Sequence, residues 1–221
     1  MVIQSIDNIS FQLKESREES REFSFLSRYG KVLCVFDKND SGNISFGVKN
    51  GNTKYFIKVA GVKTAESCRD TREAVEVLKN AMPVYEILKH PALIKLIEHY
   101  ELEDLYIAVF QWAEGDCLFD HWNFDKYAMN PQLQSPKSRF RQLSIKKRLK
   151  SVRTMFEFLI HVESRGYVAV DFYDGSIMYD FNDDITTICD IDFFQKKPTL
   201  NNMGVEYWGT KRLKAPEEYT Y

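Results

Sequence analysis

Arg165-Gly166-Tyr167-Val168-Ala169-Val170-Asp171-Phe172-Tyr173-Asp174-Gly175-Ser176-Ile177-Met178 is the stretch whose reading decides the fold. It stands directly after a helical pattern and directly before strand character. The helix is predicted over Ile145–Arg165, where Ser144 can cap it and Leu149, Val152, Phe156, Leu159 and Ile160 recur along one stripe. Downstream come short strands and turns, including Thr187-Ile188-Cys189-Asp190-Ile191-Asp192 and Gly209-Thr210-Lys211-Arg212-Leu213-Lys214-Ala215-Pro216-Glu217. Upstream, 128–142 carries Asn130, Pro131 and Pro136 among Gln and Ser and reads as a loop or insertion. Ala113-Glu114-Gly115-Asp116 reads as a connection, so the chain breaks there into a strand-rich first half and a helix-led second half.

Within the first half, Lys31-Val32-Leu33-Cys34-Val35-Phe36 is an apolar, β-branched strand candidate, and Asp37 to Asn43 is turn chemistry. Ile44-Ser45-Phe46-Gly47-Val48 alternates with period two. Asn50-Gly51-Asn52 signals a hairpin into Thr53-Lys54-Tyr55-Phe56-Ile57-Lys58-Val59, which completes an antiparallel meander. Residues 65–89 space Ala74, Val77, Leu78, Ala81, Tyr85 and Leu88 as a helix interrupted by Pro83. Strand character returns at Leu93–Ile97 and Leu105–Phe110. Residues 1–22 form a polar leader, ending in the charge-dense Lys14–Glu22, that reads as a solvated helix or a ragged end. Lys58 sits between Ile57 and Val59, where an ammonium is either solvated or paired. Strand, polar turn with Gly42, strand, then lysine on a third strand is the order of a phosphate-covering hairpin.

The chain has 221 residues, 44% hydrophobic and 28% charged, which excludes global disorder. Lys+Arg total 30 against Asp+Glu 32, so the net charge of -2 lacks the basic surplus of a generic nucleic-acid binder. No run approaches the ~18 apolar residues of a membrane span, and Met1–Asp7 lacks the pattern of a signal peptide. Cys34, Cys68, Cys117 and Cys189 are scattered fillers rather than staples or zinc ligands. A cytoplasmic protein without nucleic-acid partners is expected. Lys137, Arg139, Arg141, Lys146, Lys147, Arg148, Lys150 and Arg153 form a run without an acid. It reads as a solvated helix start or as a contact for an acidic partner.

Taken together, these stretches resemble the eukaryotic-like protein kinases over roughly residues 31 to 217. The family's catalytic loop reads R-G-x-V-H-R-D-L-x-x-x-N-I-L, and Asp171 falls on its aspartate without a gap, with Ile177-Met178 on the closing apolar pair. Thr187–Asp192 lies where the family has its metal-binding D-F-G, and Gly209–Glu217 matches G-T-x-x-x-x-A-P-E. The resemblance implies a two-lobed α+β fold with ATP and Mg2+ in the cleft. An antiparallel-sheet lobe would span 23–112 and an incomplete helical lobe 113–221. By the same resemblance Asp171 accepts the substrate proton, Lys58 holds the α/β-phosphates, and Asp190 with Ser176 carries magnesium. Asp192 competes with Asp190 or shares the metal, although Ile188 two residues earlier favours Asp190. Thr210 contacts the catalytic aspartate, which favours a protein substrate. Gly42 and Ile44 cover the phosphates, and Glu76 pairs with Lys58, although counting back from His90-Pro91 lands on Ala81 instead. Val109 is the gatekeeper, Phe110-Gln111-Trp112 the adenine hinge, and Asp116 the ribose ligand.

The departures define a rival. Asp37 and Asn39 stand at two of the glycine positions, Ala169-Val170 replace His-Arg, Tyr173 replaces a lysine and Ser176 an asparagine. The sequence ends four residues after Glu217, so the second lobe is expected to be short of helices. The expected function is phosphoryl transfer from ATP to a Ser or Thr hydroxyl of a protein. The alternative is a pseudokinase that binds without turnover.

Overall fold

The computed structural model describes residues 2–14, 22–38, 42–64, 70–119 and 124–200, with side chains of 124 and 125 excluded. It is a mixed α+β protein built on antiparallel sheets. The chain divides into two compact units, Met1–Met82 with Lys95–Trp112, and Pro83–Ile94 with Ala113–Tyr221.

Five strands make the first unit's sheet, in the order β3-β4-β5-β7-β6: β3 (Lys31–Phe36), β4 (Asn43–Asn50), β5 (Thr53–Ala60), β6 (Leu96–Leu102) and β7 (Leu105–Gln111). Alternation along each strand sends Ile44, Phe46, Val48, Ile57, Val59, Ile107 and Val109 to one face, where they form a buried core. Phe11, Leu13, Phe23 and Leu26 close that core from outside the sheet. Phe11, Phe23 and Phe46 meet ring to ring at 5.2–5.9 Å.

Phe11 and Leu13 overturn the reading of 1–22 as a polar leader. Residues 2–13 are a hairpin, β1 (Val2–Ile6) and β2 (Ile9–Leu13), turned at Asp7-Asn8 with φ of 49° and 68°. Two consecutive left-handed residues are what a two-residue turn with the right twist requires, and Asp and Asn tolerate that region. Backbone and carboxylate bonds stitch the hairpin to the unit: Lys14 N–H to the Lys63 carbonyl, and Val32 N–H to Asp7 Oδ2 at 2.8 Å. The helix expected over 65–89 is α1 (Thr71–Ile87), which runs through Pro83 rather than breaking there. Asp70 caps it through Arg72 N–H at 2.9 Å.

In the second unit, β10 (Ile177–Asp180) pairs with both β11 (Ile185–Ile188) and β8 (Asp116–Cys117), while β9 (Tyr167–Val168) pairs with β12 (Gln195–Lys196). Leu93 and Ile94, expected in a strand, instead reach β11 through an Ile94 N–H bond to Ile188. The expected loop at 128–142 contains helix: α2 (Phe124–Met129) enters it and α3 (Pro136–Gln142) is capped by Ser135 with Pro136 at its start. The long helix α4 (Ile145–Ser164) has Ser144 as its N-cap, accepting from Lys147 N–H. Its buried residues are Ser151, Phe158 and Val162, not the apolar stripe from Leu149 to Ile160. Ser151 is inside because its hydroxyl accepts from Thr186 at 2.7 Å.

Candidate functional site

Six non-glycine residues among those described have left-handed backbone: Asp7, Asn8, Glu103, Asp171, Asp184 and Asp190. Four of them close hairpins, at β1–β2, β6–β7 and β10–β11. Asp171 and Asp190 close none. Such strain persists where surrounding structure imposes it and concentrates at working sites. Ser176 joins the two segments. Its Oγ lies 3.5 Å from the Asp171 carbonyl, and its own carbonyl accepts from Cys189 N–H at 2.8 Å, one residue before Asp190. Three sequence-selected residues are thus brought together within one unit.

Asp190 and Asp192 are told apart by a tyrosine. The fully buried Tyr85 hydroxyl donates to Asp192 Oδ1 at 2.9 Å and accepts from Ile191 N–H at 3.1 Å. Burial, then the charges of Asp192 and Asp190, hold that phenol far above its ordinary pKa. Asp192 is therefore tied to the interior while Asp190 is exposed. Tyr85 was legible only as one apolar position in a helical pattern, because a phenol at that spacing reads as packing. Asp190 is exposed and Ser176 is fully buried, and a carboxylate and a hydroxyl are oxygen donors of the kind that magnesium takes. Among the described residues no three His, Cys, Asp or Glu side chains converge as a metal-binding group.

Around Asp171 the loop is filled by local contacts. An ideal Cβ on Gly175 would lie 2.4 Å from the Tyr173 ring, so the ring is folded against that glycine, edge-on to Phe119. Lys137 of α3 pairs with Asp174, whose Oδ1 is buried without a partner. Asp116, the expected ribose ligand, is ion-paired with Arg139 at 2.8 Å, and that guanidinium lies 3.9 Å over the Phe181 ring.

In the first unit, Lys58 is half-buried on β5 and shares its sheet face with its register partners Ser45 and Ala108. Ile44 pairs with Val59 and Val109 with Ile57, so both residues lie on the opposite face, inside the core. A shift of one residue flips a strand's faces, and the sequence alone does not fix that phase. Gly42 enters β4 with φ of 80°, a conformation suited to glycine. Two strand positions from Lys58 its face carries Phe56 and Phe110, with Phe36 beside Phe56. The Trp112 ring covers Gly47 and lies under the Lys54 ammonium. The backbone N–H groups expected at an adenine hinge are engaged in the sheet, Gln111 to the Lys95 carbonyl and Trp112 to that of Lys54. Glu76 is on the exposed side of α1 and Ala81 on the buried side, so neither register puts a carboxylate on the buried face of α1. Asn39, Cys68, Thr210 and the whole Gly209–Glu217 motif lie outside the described residues.

No helix among the described residues is long and apolar enough to cross a membrane. Compared with known proteins, the chain matches no family model and no curated protein.

Proposed function

We propose that this chain is a protein-kinase-like phosphotransferase that moves the γ-phosphoryl group of ATP to a serine or threonine hydroxyl of a protein in the cytoplasm. The observation that carries the reading is the pair of strained aspartates, Asp171 and Asp190, joined through Ser176. Asp171 would orient the acceptor hydroxyl and take its proton as the oxygen attacks phosphorus and the bond to ADP breaks. Lys58 would hold the α/β-phosphates as a point charge, and Asp190 with Ser176 would hold magnesium. When bound, that ion neutralises charge on the phosphates. Asp192 would act through Tyr85 rather than as a ligand. The bilobal kinase-like architecture belongs to the same proposal.

A second reading, a pseudokinase that binds partners without turnover, is favoured by the engaged Gln111 and Trp112 amides. Thermal-shift titration with ATP, with and without magnesium, separates the two. A magnesium-dependent rise in melting temperature is expected of the enzyme, because a ligand that binds only the folded state stabilises it by mass action. Asp171→Asn should then cut phosphate transfer by about 10²–10⁴-fold while sparing the shift. Asp190→Ala should remove the magnesium dependence, and Asp192→Ala should only weaken it. A parent protein that shows no shift hands the case to the binding module.

A further inference from the structure

A second apolar face on α4 stays exposed among the described residues of its own unit. Ile145, Leu149, Phe156 and Ile160 are 68%, 61%, 61% and 66% exposed, and Val152 completes the row. The buried face of the helix lies elsewhere, at Ser151, Phe158 and Val162. The row has two properties that a covering surface must match. First, it is palindromic: Ile145 and Leu149 precede the Val152-Arg153 midpoint by the same steps with which Phe156 and Ile160 follow it. Second, the helix is charge-polarised. Lys146, Lys147, Arg148, Lys150 and Arg153 fall in its first half, and its acids, Glu157 and Glu163, fall in the second.

We propose that α4 is a self-association surface, on which two copies of this chain pair antiparallel about a two-fold axis at Val152-Arg153. A two-fold interface must present one patch to itself, and the palindrome does so. Ile145 of one copy meets Ile160 of the other, and Leu149 meets Phe156. Antiparallel pairing lays the basic half on the acidic half, whereas parallel pairing would stack cations on cations. Lys146, Lys150, Arg153 and Glu157 form the ridge beside the row, so Glu157 falls at the level between the partner copy's Lys146 and Lys150. Lys150 is held by the Asp184 carbonyl and Lys147 by the Asp184 carboxylate, which leaves the cross-pair chiefly to Lys146. The row offers on the order of 500 Å² per copy, so a pair buries about 1,000 Å², the lower bound of a specific interface. A weak, reversible dimer follows.

Sedimentation equilibrium of the full chain tests this. A monomer–dimer equilibrium is expected, shifted to monomer by Leu149→Glu or Phe156→Glu, with melting temperatures unchanged at concentrations where the parent is monomeric, because both residues are exposed. Glu157→Lys should also dissociate the pair, and adding Lys146→Glu in the same chain should restore it. On oxidation Val152→Cys should form a disulfide-linked dimer faster than Ile3→Cys, although Ile3 is the more exposed position. A parent mass that stays at one chain at every concentration overturns the proposal, whether solvent or another protein covers the row. Cross-linking of Val152→Cys at the rate of Ile3→Cys overturns it as well.

Discussion

Gly47 is where β4 gives up a side chain so that Trp112 has a seat. A Cβ there would stand 2.6 Å from Cys34 Sγ and 2.7 Å from Trp112 Cζ3, closer than any packed atoms approach. Gly47→Ala should therefore cost about 1–3 kcal/mol, as overpacking does, and lower the denaturant midpoint. Adding Cys34→Ala should recover part of the loss by clearing one of the two contacts. An unchanged midpoint in Gly47→Ala would mean that the ring is not fixed on the strand. The same burial raises the Cys34 thiol above its ordinary pKa, which keeps its thiolate scarce at neutral pH. Individual residues were unevenly legible. Asp171 and Asp190 stood out because flanking residues set their register. The core-facing side of Ile44 is not legible, because strand phase depends on pairing with Val59, which no local pattern states.

At the scale of elements, the segment following α1 meets α4 through imidazoles. The His90 ring lies 5.4 Å from that of His161 and 5.6 Å from that of Phe158, and its Nδ1 accepts from Ala92 N–H. Burial, then the charge of His161, lowers the pKa of His90, and Glu157 opposes them. A folded pKa below the unfolded value of about 6.5 means that the neutral ring is the stabilising form. Its contribution is complete above pH ~6.5 and is lost as the pH falls below that value. The melting temperature should thus fall more steeply between pH 7 and 5 in the parent than in His90→Asn, where Oδ1 can take over the bond to Ala92 without titrating. Identical pH profiles would sink this account. The elements themselves were readable where propensity and cap agreed, as at Ser144 and α4. The face of α4 was not, since Ser151 is inside for a hydrogen bond that its partner Thr186, 35 residues on, alone explains.

For the molecule as a whole, the shift near 113–116 marks one unit boundary, but Pro83–Ile94, read with the first half, belongs to the second unit, because no local pattern states which unit a segment packs in. What escaped was the β1–β2 hairpin, whose five-residue strands adjoin a charged stretch that dominates any composition window. That hairpin has a bearing on how the protein fails. The sheet order makes β3 an edge strand, and its sequence, Lys31-Val32-Leu33-Cys34-Val35-Phe36, is apolar, β-branched and free of proline. Exposed edges of this kind template pairing with other chains and seed fibrils. Here Asp7 accepts from the Val32 N–H and Asp37 from the Gln12 N–H, each at 2.8 Å, so two carboxylates hold the hairpin along that edge. Asp7→Gly with Asp37→Ala keeps the left-handed turn while deleting both latches. Such a protein should convert to thioflavin-positive aggregate well below its melting temperature, sooner than the parent. Equal lag times in the two would show that the edge is guarded by something else. A shorter lag in the variant would make residues 2–13 a guard against amyloid as much as a part of the core.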